Sequence, residues 1–151
     1  MFMKNNQISI NPFTITCVLG ATAFSLVLVS IGGQLAKKFL GFAVNKHLHL
    51  FDLILEMNIP TFFSILLLIS ASFLLALIAI LNHGQKNPDV SKWTILSMGF
   101  LFMAYDEGFQ AHEDLVGVIR PLLGDGNLGF FYYAWVVPAI PFVFILLLFF
   151  Y

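Results

Sequence analysis

Charge is what this chain has least of. Lys, Arg, Asp and Glu make up 10% of its 151 residues, against about 25% in soluble domains. The formal net charge is -1, so there is no basic excess to hold nucleic acid and no nucleic-acid partner is expected. The single cysteine, Cys17, cannot form an internal disulfide. Set in an apolar run, it is expected to be a buried, inert thiol. No glycine-rich phosphate loop, HExxH zinc motif or nucleophile–base arrangement is present. The alternating strands of about ten residues that signal a membrane barrel are also missing.

Apolar residues fill the space. They make up 60% of the chain, 18 of them Phe, and the mean hydropathy is +0.93. A soluble domain of this size could not bury so much apolar surface. The expected fold is therefore all-α and integral to a membrane, a single domain over residues 1–151 with the lipid bilayer as its first partner. Runs of about 20 apolar residues mark spans. Four are expected, over about 13–34, 59–81, 93–119 and 129–151. The first run is much longer than the roughly 7 to 15 residues of a signal peptide, so it is read as an uncleaved span. Pro121 should stop the third, and Pro138 and Pro141 should kink the fourth. Tyr132, Tyr133 and Trp135 suit an interfacial aromatic belt. Between the first two spans, Asn45, Lys46, His49, Asp52 and Glu56 recur at helical spacing opposite Leu48, Phe51, Ile54 and Leu55. That pattern predicts an amphipathic interfacial helix over about 38–56.

The scarce charge is concentrated. Asp106, Glu107, Glu113 and Asp114 bring four of the eight acids into nine residues, with His112 among them. On a continuous helix these acids and Gln110 share a sector of about 120°, while His112 points elsewhere. Arg120 lies two turns beyond Glu113, as an ion-pair partner or interface anchor. Gly99 and Gly117 share the acidic face and should admit a neighbouring helix. At 1.5 Å per residue the cluster falls in the outer third of the membrane, about 20 to 30 Å along from Trp93. Carboxylates there need a cation, a proton or a water-filled cavity.

Parity places His47, His49, Asp52 and Glu56 on the same membrane face as this cluster. Mixed imidazole and carboxylate ligands suit a divalent metal such as Zn, Fe or Mn. The candidate metal ligands are Asp106, Glu107, His112, Glu113 and His49. Asp106 and Glu113 are the candidates for proton coupling. The Glu-x-x-His pairs of helical dimetal sites are missing, since Phe109 occupies the position three before His112. Glu107 and Asp114 also fit a solvated helix end.

Two stretches carry a resemblance. One is Asn58-Ile-Pro-Thr-Phe-Phe-Ser64, running into Leu66-Leu-Leu and Ala76-Leu-Ile-Ala79. The other is Tyr105-Asp-Glu-Gly-Phe-Gln-Ala-His-Glu113, a D-E-x4-H-E pattern. Over about residues 50–141 the chain resembles a family of small bacterial multi-pass membrane proteins of uncharacterised activity. The resemblance implies the topology, a bacterial inner membrane and attention to Asp106, Glu107, His112 and Glu113. It implies no reaction. Members of that family are longer, and this chain ends on Phe149-Phe150-Tyr151 without a polar tail, so either a truncated form or a terminus buried in an assembly is expected.

Three functions stay open. The first is a metal- or proton-binding carboxylate/His site near one membrane face, catalytic or not. The second is a small proton-coupled transporter or channel subunit acting as a homo-oligomer. The third is a structural subunit of a larger membrane complex, holding a pigment or haem through histidine.

Overall fold

The computed structural model describes residues 11–40, 49–84, 88–124, 129 and 133–151. Every long element among them is an α-helix. These are α1 (Pro12–Leu40), α2 (Ile59–Gly84), α3 (Val90–Phe109), α4 (Ala111–Leu123) and α5 (Val136–Phe150). The chain divides into two compact units, residues 1–60 and 61–151.

In the first unit, Asn11 starts α1 by accepting the Phe13 N–H on its side chain at 3.0 Å, and Pro12 fits the first helical position. The hydroxyls of Thr16, Thr22 and Ser25 bond back to carbonyls four residues earlier. Each of these three hydroxyl protons is thereby satisfied within the helix. Lys37 and Lys38 complement the helix dipole in the last turn. Cys17 is exposed on this helix, not buried as expected.

The amphipathic helix expected over 38–56 does not form as one element. Residues 38–40 end α1, and residues 50–58 are turns and bends. Residues 41–48, with Asn45, Lys46 and His47, lie outside the described residues. Local side-chain bonds win over helical pattern here. The Ile59 N–H closes on the Leu50 carbonyl at 2.9 Å. Asn58, 2% exposed, donates its amide to the carbonyls of Asp52 and Leu55. Met57 before it is left-handed, with φ 58°. Buried Ser30 of α1 accepts the Leu53 N–H at 3.1 Å, and Gln34 donates to Asp52 at 3.1 Å.

In the second unit, α2 and α3 form an antiparallel pair. Ser72 donates to the Ser97 carbonyl at 2.8 Å and Ser97 to the Ser72 carbonyl at 2.9 Å. Near the opening end of α2, a Cβ on Gly108 would lie 3.4 Å from Ile65 Cδ1. Ser72 and Ala79 are seven residues apart, as are Ser97 and Ala104, and all four are buried. Small residues at that repeat let backbones approach closely. Gly99 and Gly117, expected to admit a neighbour, have nothing within 4 Å of a Cβ. Ser97 and Gly108 lie about 180° around α3 from Asp106, so α3 meets α2 with the face opposite its acids.

Among the described residues two helices are long and apolar enough to cross a membrane, Pro12–Phe39 and Ile59–Gly84, and only 6% and 11% of their apolar windows are buried. A core helix of a soluble protein would be mostly buried. The expected third span is interrupted at Gln110, and every 18-residue window of α3 contains Lys92, Asp106 and Glu107. The expected fourth is the apolar but shorter Val136–Phe150. Its start is delayed because residues 133–135 form a bend and turn. Pro138 sits in its first turn, where proline is tolerated, and only Pro141 lies inside.

Candidate functional site

The acidic cluster lies at a break between two helices. Gln110 adopts φ 57°, ψ 34°, the left-handed conformation, and ends α3 one residue before α4 begins. Its N–H bonds to the Asp106 carbonyl at 2.7 Å, the single bond of a left-handed helix C-cap. The Asp106 carboxylate does the complementary job for α4. Its Oδ1 accepts the backbone N–H of His112 at 2.8 Å, satisfying a donor that the first turn of a helix leaves open. Asp106 therefore closes one helix with its main chain and opens the next with its side chain.

The same carboxylate holds the His112 ring. Oδ2 lies 3.1 Å from Nδ1, with side-chain exposures of 31% for His112 and 30% for Asp106. A carboxylate accepts and does not donate, so the hydrogen of this contact belongs to Nδ1. Nε2 is then the atom through which the ring would take up a proton or a metal ion. Trp135 meets the imidazole edge-on, with centroids 6.0 Å apart. On the continuous helix expected from sequence, His112 points away from the acids. The turn at Gln110 brings His112 onto Asp106.

Glu113 is exposed and next to His112 in the first turn of α4, where a negative charge complements the helix dipole. A carboxylate oxygen of Glu113 and a ring nitrogen of His112 come within 4.8 Å of one another, close enough to share one ion. Glu107 is half-buried near the end of α3, and Asp114 is exposed. Arg120 is half-buried in the last turn of α4, on the same side as Glu113.

The candidates from residues 49–56 belong to the first unit. His49 is exposed, and its carbonyl accepts the Asp52 N–H at 3.3 Å. Asp52 is committed to structure, since Oδ1 takes both Gln34 Nε2 and the Ile54 N–H at 3.1 Å. Glu56 is exposed. Gln110 is the residue whose role the sequence concealed, because its amide side chain carries no glycine-like signal for the left-handed region.

Fold and site together define an all-α protein with two membrane-length helices and a carboxylate–histidine pair at a helix break. The chain belongs to the family described as Domain of unknown function (DUF8692), which it matches over residues 15–151. No curated protein and no solved structure matches it.

Proposed function

We propose that this is a multi-pass integral membrane protein whose helix break binds a divalent metal ion, with His112 and Glu113 as ligands. In this reading α1, α2, α3 and α5 are the spans, set in a bacterial plasma membrane. The observation that carries the metal reading is the contact between Asp106 Oδ2 and His112 Nδ1 at 3.1 Å. A carboxylate on one ring nitrogen fixes the tautomer, aims the other nitrogen and raises its basicity, as in many metal-bound histidines. Asp106 thus acts as the residue that orients the ligand, and Glu107 supplies a further carboxylate at the end of α3. A mixed imidazole and carboxylate set favours Zn, Fe or Mn.

The test is metal analysis of protein purified in detergent, beside zinc titrations of wild type, His112→Ala and Asp106→Asn. The expected result is a bound divalent metal in the wild type, lost in His112→Ala. Asp106→Asn should weaken affinity about 10- to 100-fold. A wild type without metal that takes up no zinc, iron or manganese would overturn this reading.

A second reading is favoured by the partial burial of the pair. A histidine hydrogen-bonded to an aspartate and only about 30% exposed can relay a proton between water and a membrane interior. Proton-linked flux in liposomes, abolished by Asp106→Asn and unaffected by chelators, would select it over the metal site.

A further inference from the structure

The second half of the expected third span has the composition of a helix that lies on a membrane. α4 is 13 residues long, about 20 Å, against the roughly 30 Å of a hydrocarbon core. It carries Glu113, Asp114 and Arg120. Taking 100° per residue, Val118, Ala111, Leu122 and Leu115 fall in one sector. His112, Ile119, Leu123 and Val116 fall in the next, and Arg120, Glu113, Gly117, Pro121 and Asp114 take the rest. Exposure follows these sectors. His112, Val116, Ile119 and Leu123 are half-buried. Leu115, Val118 and Leu122 form an uncovered apolar stripe, exposed by 42%, 68% and 81%. In the remaining sector Glu113, Asp114, Gly117 and Pro121 are exposed, and Arg120 is half-buried at its edge beside the covered sector.

Two further observations bear on what covers the stripe. The α4 helix begins one residue after α3, whose 20 residues reach about 30 Å, the thickness of the hydrocarbon core. Its first turn also stands beside Trp135, which touches His112 and is followed directly by the apolar α5. Tryptophan and tyrosine concentrate at the membrane–water boundary, and exposed Tyr133 and Tyr105 flank the same region of sequence.

We infer that α4 is an in-plane interfacial helix, with Leu115, Val118 and Leu122 in the acyl-chain boundary and Glu113 and Arg120 toward water. Such helices bury their apolar face about 5 to 10 Å into the headgroup boundary. The inference rests on the membrane reading above and is independent of the metal. It places the Asp106–His112 pair at the membrane surface.

The experiment uses the full chain in phosphatidylcholine–phosphatidylglycerol vesicles, in a Cys17→Ser background. Single cysteines at Val118, Leu122, Gly117, Pro121 and, as a reference on α2, Phe73 receive a nitroxide label. Collision with oxygen reports lipid, and collision with a water-soluble nickel chelate reports solvent. The expected result is oxygen accessibility several-fold above nickel accessibility at 118 and 122, and the reverse at 117 and 121. Position 73 should read deeper than either. Solvent at all four α4 positions, with lipid at 73, would overturn the interfacial helix alone. Lipid at all four would make α4 part of a span and overturn it equally. Immobile labels at 118 and 122, shielded from both reagents, would overturn it in favour of a protein partner or a second copy. Solvent at 73 itself would overturn the membrane reading too.

Discussion

Ser72 and Ser97 each donate a hydroxyl to the other's backbone carbonyl, at 2.8 and 2.9 Å. The two oxygens lie 3.2 Å apart, so the helices meet with almost no side-chain volume between them. In an apolar medium such a pair satisfies both hydroxyls at once. Double-mutant cycles on membrane helices put each interhelical hydrogen bond near 0.6 kcal/mol and at most about 1.7. Ser72→Ala and Ser97→Ala should each cost about that much. The double variant should cost close to their sum, because each hydroxyl bonds to a backbone carbonyl that alanine keeps, and any departure measures the 3.2 Å contact between the two hydroxyls. Reversible unfolding in mixed micelles would measure the cycle. Ser72→Leu should cost much more, since its volume must separate the helices.

The left-handed Gln110 predicts an uncommon gain. A non-glycine residue in this region is strained by about 1 kcal/mol, and glycine is not. Gln110→Gly should stabilise the protein by about 0.5 to 1 kcal/mol. Gln110→Val should destabilise it by more, because a β-branched side chain resists the left-handed region most. Thermal melts in detergent give both signs. A gain in Gln110→Val would mean that the helices run straight through.

Asp106 can be divided into its two contributions. Asp106→Asn keeps a carbonyl oxygen for the His112 N–H while losing the carboxylate that faces Nδ1. Asp106→Ala loses both. The alanine variant should lose about 0.5 to 2 kcal/mol, as for a removed helix cap, and the asparagine variant clearly less. Melting temperatures measured without added metal would separate capping from ligand binding.

Asn58 makes the corresponding prediction for the first unit. Its side chain is nearly inaccessible and supplies donors to two carbonyls. Asn58→Ala should cost about 1 to 3 kcal/mol. Asn58→Asp should be worse, because it presents a carboxylate to two carbonyl oxygens that have lost a donor. Limited proteolysis within residues 50–58 would detect the loosened segment before global unfolding.

The sequence made α2 legible because its apolar run is uninterrupted and its proline falls in the first turn. The start of α1 was equally legible, since the apolar run expected from about residue 13 begins within a residue of Pro12. The break at Gln110 was hidden, since neither glycine nor proline marks it and the acids on both sides keep helical phase. It depends on the Asp106 side chain reaching His112, a contact that periodicity cannot reveal. The turns at 50–58 were hidden for a similar reason. Asn58 and Asp52 offer the backbone a local alternative to a helix, and a face-by-face reading scores only the apolar pattern. Asp106, His112 and Glu113 were candidates from their clustering in the sequence and from the resemblance carried by the D-E-x4-H-E pattern. Their grouping needed the bend.

That bend ties chemistry to shape. The residues that define the angle between α3 and α4 are the ones that aim the imidazole. Whatever binds His112 in this orientation stabilises the bend, and whatever straightens the chain at Gln110 weakens that binding by the same factor. Occupancy of the imidazole and curvature of the helix pair are thus linked, so each can be titrated by watching the other.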